Sequence, residues 1–203
     1  MSICLMLDVD GVLVSGRPSD GQIWTHELFD DLGVNPKLLV EDFFAREWQD
    51  VVTGKQDLRP VLEDSLNRLG TNVSVEELIS YWFKMDSRIN QQVLEDCRVA
   101  RTYGCQIYLT TNQDHRRAQY LMTEMGLENE VDGIAYSAEA GFQKPSPSFY
   151  SYAADKTGRQ PSEMLLVDDT LANIHGAIHA GWEAVHWDEN LRLLDILQYN
   201  IGR

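Results

Sequence analysis

The chain has 203 residues, of which 43% are hydrophobic and 24% are charged, and its formal net charge at pH 7 is -15. This length fits one ordinary domain, or a core with a modest insertion. The negative charge argues against a nucleic-acid partner, because binding to polyphosphate depends on clustered lysine and arginine.

The N-terminal segment has no basic region or cleavage site, and its apolar run stops after Leu7. We therefore expect neither a signal peptide nor a membrane span, and we expect a cytoplasmic location. The three cysteines, Cys4, Cys97 and Cys105, are an odd number without metal-ligand spacing. They are predicted to be reduced and buried.

The first predicted element is an apolar strand at residues 5–7 that ends in two carboxylates. Asp8 and Asp10 flank Val9, and Gly11 follows at once. A glycine suits a chain that turns or passes close to a ligand there. Residues 15–21 then form a short segment that is dense in turn residues.

Residues 17–89 are predicted to be a helical insertion with its own small core, because no β-type alternation occurs between Gly21 and Arg88. A first helix includes Ile23 and Leu32 and ends at Gly33. A second begins at residues 35–36 and carries an apolar stripe as far as residue 48.

Two further helices in this insertion have clear end signals. Asp57 is a predicted N-cap, and Gly70 ends the same helix. Ser74 and Glu77 have the spacing of a capping box for the next one. Both helices carry apolar residues at helical spacing, which favours a packed helical unit over a loop.

Strands and helices alternate after the insertion. Strands are predicted at residues 105–111, 134–137, 164–167 and 183–187, and helices at residues 93–103, 113–125, 147–156 and 171–180. This order predicts an α/β fold, a doubly wound parallel sheet with helices on both faces. The core would comprise residues 1–16 and 90–203, and residues 17–89 would form a helical cap.

Side chains that can bind a metal or a phosphate group follow four of the predicted strands, and in a parallel sheet they would meet at one edge. They are Asp8 and Asp10, Thr111 and Asn112, Lys144, and Asp168 and Asp169. Each segment alone is also typical of a turn or a helix cap. Together, the carboxylates, a hydroxyl and a lysine favour a Mg²⁺ site beside a phosphate site.

These residues resemble the four ordered motifs of the haloacid dehalogenase superfamily. The motifs are residues 8–11, residues 111–112, residues 144–145, and residues 167–169 with Asn173. The similarity extends from Leu5 to about Trp187. The long gap between the first two motifs leaves room for a cap only after the first strand, as in the subclass that includes beta-phosphoglucomutase and sugar-phosphate phosphatases.

The resemblance implies a Mg²⁺-dependent phosphohydrolase that acts on a small phosphate monoester, such as a sugar phosphate. Asp8 would attack phosphorus, and Asp10 would act as general acid and then as general base. Phosphate would be held by Thr111, Asn112 and Lys144. The metal would be held by Asp8, Asp10 (through its backbone carbonyl), Asp168 and Asp169.

Three alternatives stay open: a phosphomutase of the same family, a 2-haloacid dehalogenase, and a non-catalytic phosphate-binding or regulatory module. Asp10, together with the later acidic pair, favours phosphate over halide. The expected partner is a small phosphorylated metabolite, and the expected state is a monomer or homodimer. In the cap, Arg46 and Lys55 lie near a loop at residues 51–54 and are candidates for substrate binding.

Overall fold

The computed structural model describes residues 3–201. Five strands in this part of the chain form one sheet: β1 (Cys4–Leu7), β2 (Gln106–Thr111), β3 (Gly133–Tyr136), β4 (Met164–Asp168) and β5 (Glu183–His186). The strand order is β3-β2-β1-β4-β5, and all neighbouring strands are parallel. The predicted fold class is confirmed.

The cap segment between β1 and the second strand is helical, as predicted. Its helices are α1 (Leu28–Leu32), α2 (Pro36–Leu39), α3 (Trp48–Val52), α4 (Leu58–Leu69) and α5 (Val75–Met85). A π-helical turn at Val40–Phe44 follows α2 directly. A separate apolar cluster holds these helices together, and within it Trp24 stacks on Trp82 with ring centroids 5.3 Å apart.

The remaining helices cover the two faces of the sheet. They are α6 (Gln91–Thr102), α7 (His115–Met122), α8 (Ser137–Ala140), α9 (Pro147–Thr157), α10 (Leu171–His179) and α11 (Leu193–Ile201). Side chains alternate along β1, so Leu5 and Leu7 pack with α6 and α11, whereas Cys4 and Met6 pack with α9 and α10. Both faces of the central strand are therefore buried.

The predicted helix ends are largely confirmed. Gly33 and Gly70 are left-handed C-caps, Asp57 accepts a hydrogen bond from the Arg59 amide, and Ser74 and Glu77 form the capping box. The three cysteines are free and buried, also as predicted. No helix among residues 3–201 is long and apolar enough to cross a membrane.

Some predicted elements differ from the structure. The first cap helix begins at Leu28 and excludes Ile23, whose side chain is 63% exposed and makes no apolar stripe with the helix. The long helix predicted after Pro36 is divided at the π-helical turn. The short helix α8 and the final helix α11 were not predicted.

The chain enters and leaves the cap through two adjacent segments. The Ser15 amide donates to the Arg88 carbonyl at 2.9 Å, and the Arg88 amide donates to the Gly16 carbonyl at 3.1 Å. The Asn90 amide donates to the Leu13 carbonyl at 2.8 Å. The cap is thus connected to the core by a hydrogen-bonded pair of segments close to the end of β1.

Candidate active site

The candidate site lies where the order of the strands reverses. After β1 the chain builds β2 and β3 on one side, and it then returns to build β4 and β5 on the other. Ligands of such sheets bind beyond the carboxyl ends of the strands at this switch point. Asp8 follows β1 directly, and Asp168 is the last residue of β4.

A cleft of about 360 Å³ opens at this point. It is lined by Asp8, Asp10, Gly11, Thr111, Asn112, Lys144, Asp169, Thr170 and Asn173. All the predicted core-site residues except Asp168 therefore line one cleft, and Asp168 is fully buried beside it.

Lys144 is the buried cation of the site. Its Nζ lies 2.9 Å from Asp8 Oδ1 and 2.6 Å from Asp168 Oδ2, and it donates to the Thr110 carbonyl at 2.6 Å. Burial opposes its charge, but Asp8 and Asp168 outweigh that effect and raise the pKa of Lys144. The ammonium group therefore stays charged and fixes both carboxylates.

The Asp168 carboxylate accepts hydrogen bonds from the residues that follow β4, in addition to its contact with Lys144. Asn173 Nδ2 donates to both carboxylate oxygens, at 3.0 and 3.1 Å, and the Thr170 amide donates to Oδ1 at 2.8 Å. Asn173 is buried on α10, where its backbone carbonyl accepts from the Tyr150 hydroxyl at 2.7 Å. These contacts give Asp168 a fixed orientation next to Lys144.

The two oxygens of Asp8 have different surroundings. Oδ1 accepts from the Val9 amide at 2.7 Å as well as from Lys144. Oδ2 has no protein hydrogen-bond partner among residues 3–201. Burial raises the pKa of Asp8 to about 8, with Lys144 acting against the shift and Asp168 adding to it. A cation in the cleft would oppose this shift.

The acidic cluster fits a divalent cation. One carboxylate oxygen from each of Asp8, Asp168 and Asp169 lies within 4.8 Å of the others. Together with Asp10 they place four carboxylates in or beside the cleft, of which Asp8 and Asp168 contact Lys144, and hard oxygen ligands of this kind suit Mg²⁺. A Cβ at Gly11 would lie 2.1 Å from Asp169 Oδ2, so the absence of a side chain there permits this arrangement.

Asp10 lies at the exposed side of the cleft, near the connection to the cap. Gln113 Nε2 donates to its Oδ2 at 2.5 Å. The protein packed around this carboxyl raises its pKa to about 6, and Asp86 adds to the shift while Arg117 and Lys144 oppose it. The sequence did not predict a role for Gln113 or Arg117 in the site, although Gln113 directly follows the second motif.

Thr111 and Asn112 differ in their contacts. The Thr111 side chain is buried, and its hydroxyl has no protein partner in the described part of the chain. Asn112 forms a reciprocal pair with the Lys144 backbone: its Oδ1 accepts from the amide at 2.8 Å, and its Nδ2 donates to the carbonyl at 3.1 Å. The Asn112 side chain thus holds the loop that carries Lys144.

The two cap candidates are not brought to the cleft. Arg46 Nη1 bonds Asp42 at 3.1 Å, Lys55 Nζ lies 3.3 Å from Asp50, and both cations are exposed. Neither residue lines the cleft. They form local ion pairs on the cap surface.

The cap loop at residues 51–54 does contact the core. Ser137 Oγ donates to the Val52 carbonyl at 2.6 Å. A Cβ at Gly54 would lie 2.3 Å from the Ala138 carbonyl oxygen, so the loop passes very close to α8. The backbone of this loop, more than its charged side chains, joins the cap to the core.

The fold and the site together define an α/β protein with a helical insertion and an acidic cleft at the switch point of its sheet. The chain belongs to the haloacid dehalogenase-like hydrolase family, whose model matches residues 4–181.

Among curated proteins, the N-acylneuraminate-9-phosphatase of Rattus norvegicus is 30% identical over 82 residues, which are 40% of this chain and 33% of that protein. The match therefore spans about one third of the relative's length. A HAD family enzyme from Bacteroides thetaiotaomicron, solved in complex with magnesium and inorganic phosphate, has a TM-score of 0.80 at 17% identity. That comparison covers 97% of this chain and 99% of the other, and shows a common fold.

Proposed function

We propose that this protein is a Mg²⁺-dependent phosphohydrolase that removes phosphate from a small phosphate monoester through a phosphoaspartyl intermediate on Asp8. The observation that carries the proposal is that Asp8 and Asp10 line the same cleft. One carboxylate oxygen of Asp8 is free of protein partners in the described residues, and the other contacts the buried Lys144. Membership of the hydrolase family and the similarity to a phosphatase support it.

In the first half-reaction, Asp8 Oδ2 forms a bond to phosphorus while the bond from phosphorus to the ester oxygen breaks. The electron pair of that bond goes to the leaving oxygen, which takes a proton from Asp10. The products are an alcohol, an acyl phosphate on Asp8 and an ionised Asp10. Burial raises the pKa of Asp10 to about 6, so this carboxyl carries the proton that the step needs more often than an ordinary aspartate would.

In the second half-reaction, Asp10 takes a proton from water as the water oxygen attacks phosphorus. The bond from phosphorus to Asp8 breaks, and inorganic phosphate and the free carboxylate result. The Thr111 hydroxyl would donate to a phosphate oxygen, and Lys144 would offset negative charge from behind Asp8. Asn112 would act on phosphate binding through the Lys144 loop, whose backbone it holds.

The metal would be held by Asp8, Asp169 and the backbone carbonyl of Asp10, with Asp168 completing the acidic set. When bound, Mg²⁺ supplies positive charge against the phosphoryl oxygens and the surrounding carboxylates. Residues 17–89 would form the cap that excludes water from the cleft. A sugar phosphate fits the small substrate class that such a cap would admit.

The test is hydrolysis of p-nitrophenyl phosphate and of a panel of phosphorylated metabolites with Mg²⁺. We expect the wild type to release phosphate and Asp8→Asn to abolish release. Asp155→Asn, which changes an exposed aspartate on α9 in the same way, should keep full activity. Full activity of Asp8→Asn would contradict the mechanism, and a silent panel would favour the phosphate-binding alternative.

A further inference from the structure

Gln113 is a buried amide that contacts the proposed proton donor. Its side chain is 4% exposed, and its Nε2 donates to Asp10 Oδ2. Within residues 3–201, no other side chain hydrogen-bonds to the Asp10 carboxyl. An amide neither gains nor loses a proton under ordinary conditions, so it orients its partner without competing for the proton.

The backbone of Gln113 is held by the start of α8. Its backbone carbonyl accepts from the Ala138 amide at 3.2 Å and lies 3.2 Å from Ser137 Oγ. The same Ser137 hydroxyl also contacts the Val52 carbonyl of the cap. The backbone of Gln113 is therefore hydrogen-bonded to α8, next to the point where the cap loop contacts the core.

A hydrogen bond from Nε2 makes Asp10 Oδ2 an acceptor. The carboxylic acid proton then resides on Oδ1, which has no protein partner in the described residues. Without the amide, the carboxyl would rotate and either oxygen would carry the proton. Donor and leaving oxygen must lie within hydrogen-bond reach for general acid catalysis, so a fixed carboxyl plane matters to the rate.

We propose that Gln113 is a positioning residue that orients Asp10 for proton delivery to the leaving oxygen. This inference rests on the proposed phosphohydrolase function. In the step concerned, the bond from phosphorus to the ester oxygen breaks, and Asp10 Oδ1 transfers its proton to that oxygen. Gln113 touches neither the phosphoryl group nor the leaving group.

The demand for this proton depends on the leaving group. A nitrophenolate departs readily without a proton, whereas an alkoxide does not. The ratio kcat/KM reports steps up to formation of the phosphoenzyme, so it is independent of the later hydrolysis step. Comparing an alkyl phosphate with p-nitrophenyl phosphate therefore isolates the role of the acid.

The experiment compares Gln113→Met with wild type on glycerol phosphate and on p-nitrophenyl phosphate, both with Mg²⁺. Methionine has a similar length and no donor. We expect kcat/KM for the alkyl ester to fall about 10- to 100-fold, and that for the aryl ester to change less than about threefold, since a positioned acid contributes roughly 10²- to 10⁴-fold. Retained aryl-ester activity also shows that the variant is folded.

Two further variants complete the test. Gln113→Glu keeps the shape and replaces the donor with an acceptor, so it should show the same selective loss, and it provides the readout if the methionine variant does not fold. Gln119→Met makes the same change at an exposed position on α7 and should leave both ratios unchanged.

Equal losses on both esters, or no loss on either, would overturn the role of Gln113 while leaving the phosphohydrolase function intact. If the wild type hydrolyses neither ester, and a metabolite panel is also silent, the proposed function itself fails and this inference fails with it.

Discussion

Gly11 lies where the cleft has no room for a side chain. Its φ is +82°, and a Cβ there would lie 2.1 Å from Asp169 Oδ2. We expect Gly11→Ala to displace Asp169 and to lower kcat/KM by about 100-fold or more, because a displacement of about 1 Å at a reacting site has effects of that size. The measurement is steady-state hydrolysis at several Mg²⁺ concentrations, where the variant should require more metal.

Gly33→Ala is the matched control for this prediction. Gly33 also has a positive φ, +70°, but a Cβ there would have no neighbour within 4 Å. It should therefore lose about 1 kcal/mol of stability from backbone strain and keep its activity. Comparable losses of activity in both variants would show that backbone strain, and not the contact with Asp169, is responsible.

Lys144 carries the second prediction at the residue scale. In Lys144→Met, Asp8 and Asp168 stay buried without their cation, which should abolish activity and reduce the free energy of unfolding by about 3 to 5 kcal/mol near neutral pH. Burial already raises the pKa of Asp8, and removal of the ammonium group raises it further. The folded variant then binds protons more readily than the unfolded chain, so its stability increases as the pH falls.

The direction of this pH dependence is measured by urea unfolding of Lys144→Met and of wild type in EDTA at several pH values between about 7 and 5. Lys84→Met, which removes an exposed lysine with no ion pair in the described residues, should change stability by less than about 0.5 kcal/mol. A deficit in Lys144→Met that did not shrink on acidification would contradict the account of the buried carboxylates.

Within the cap, the Asp42 carboxylate joins the π-helical turn to α4, across the intervening helix α3. Asp42, in the π-helical turn, accepts from Ser65 Oγ at 2.8 Å and lies 2.7 Å from Arg68 Nη2, both on α4. The bond from Arg68 lowers the pKa of Asp42 below its ordinary value of 3.8, and Ser65 contributes in the same direction. The Asp42 side chain is only 14% exposed, so this pair is less screened than most surface pairs.

We expect Asp42→Asn to reduce the free energy of unfolding by about 1 to 2 kcal/mol near neutral pH. Because the folded pKa is lowered, this stabilisation is present above the ordinary value and is lost as the pH falls through the folded pKa. Urea unfolding at several pH values from neutral to about 3 should therefore show a difference that shrinks as the pH falls below the ordinary value of 3.8. Asp64→Asn, at an exposed position on α4, should have little effect at either pH.

The elements that the sequence predicted well have strong local signals. Asp57 and Gly70 mark the ends of α4 through side-chain and backbone preferences that act within a few residues. The apolar run of β4 was recognisable because both faces of the strand are buried. By contrast, the π-helical turn at Val40–Phe44 keeps the composition of a helix, so nothing local distinguishes it.

The candidate site was predictable in its residues but not in its contacts. Residues at strand ends meet at one edge of a parallel sheet for reasons of topology alone, so Asp8 and Lys144 could be placed together. The contacts of Asn112 and Gln113 depend on how separate loops pack, which no short pattern encodes. Arg46 was a candidate because it lies near the loop at residues 51–54 in the sequence. In the structure it forms an ion pair with Asp42, which lies four residues earlier.

For the molecule as a whole, the cleft holds one part of the surplus of negative charge. The chain carries a formal charge of -15, which includes the clustered carboxylates of Asp8, Asp168 and Asp169 at the switch point of the sheet, and Lys144 pairs with only two of them. A cation bound only by the folded state stabilises it by mass action. We expect Mg²⁺ at about 100 times its dissociation constant to add roughly 2.7 kcal/mol and to raise Tm by about 5 to 10 °C.

Thermal unfolding with Mg²⁺, with EDTA, and with NaCl at matched ionic strength separates specific binding from screening of the overall charge. Screening would stabilise the protein equally in the two salts, because it depends on ionic strength, whereas binding at the cleft favours Mg²⁺ alone. Asp169→Asn should remove the Mg²⁺-specific increase in Tm, while Asp155→Asn should retain it. An increase that survived in Asp169→Asn, or that NaCl reproduced, would place the effect on the general acidic surface instead of in the cleft.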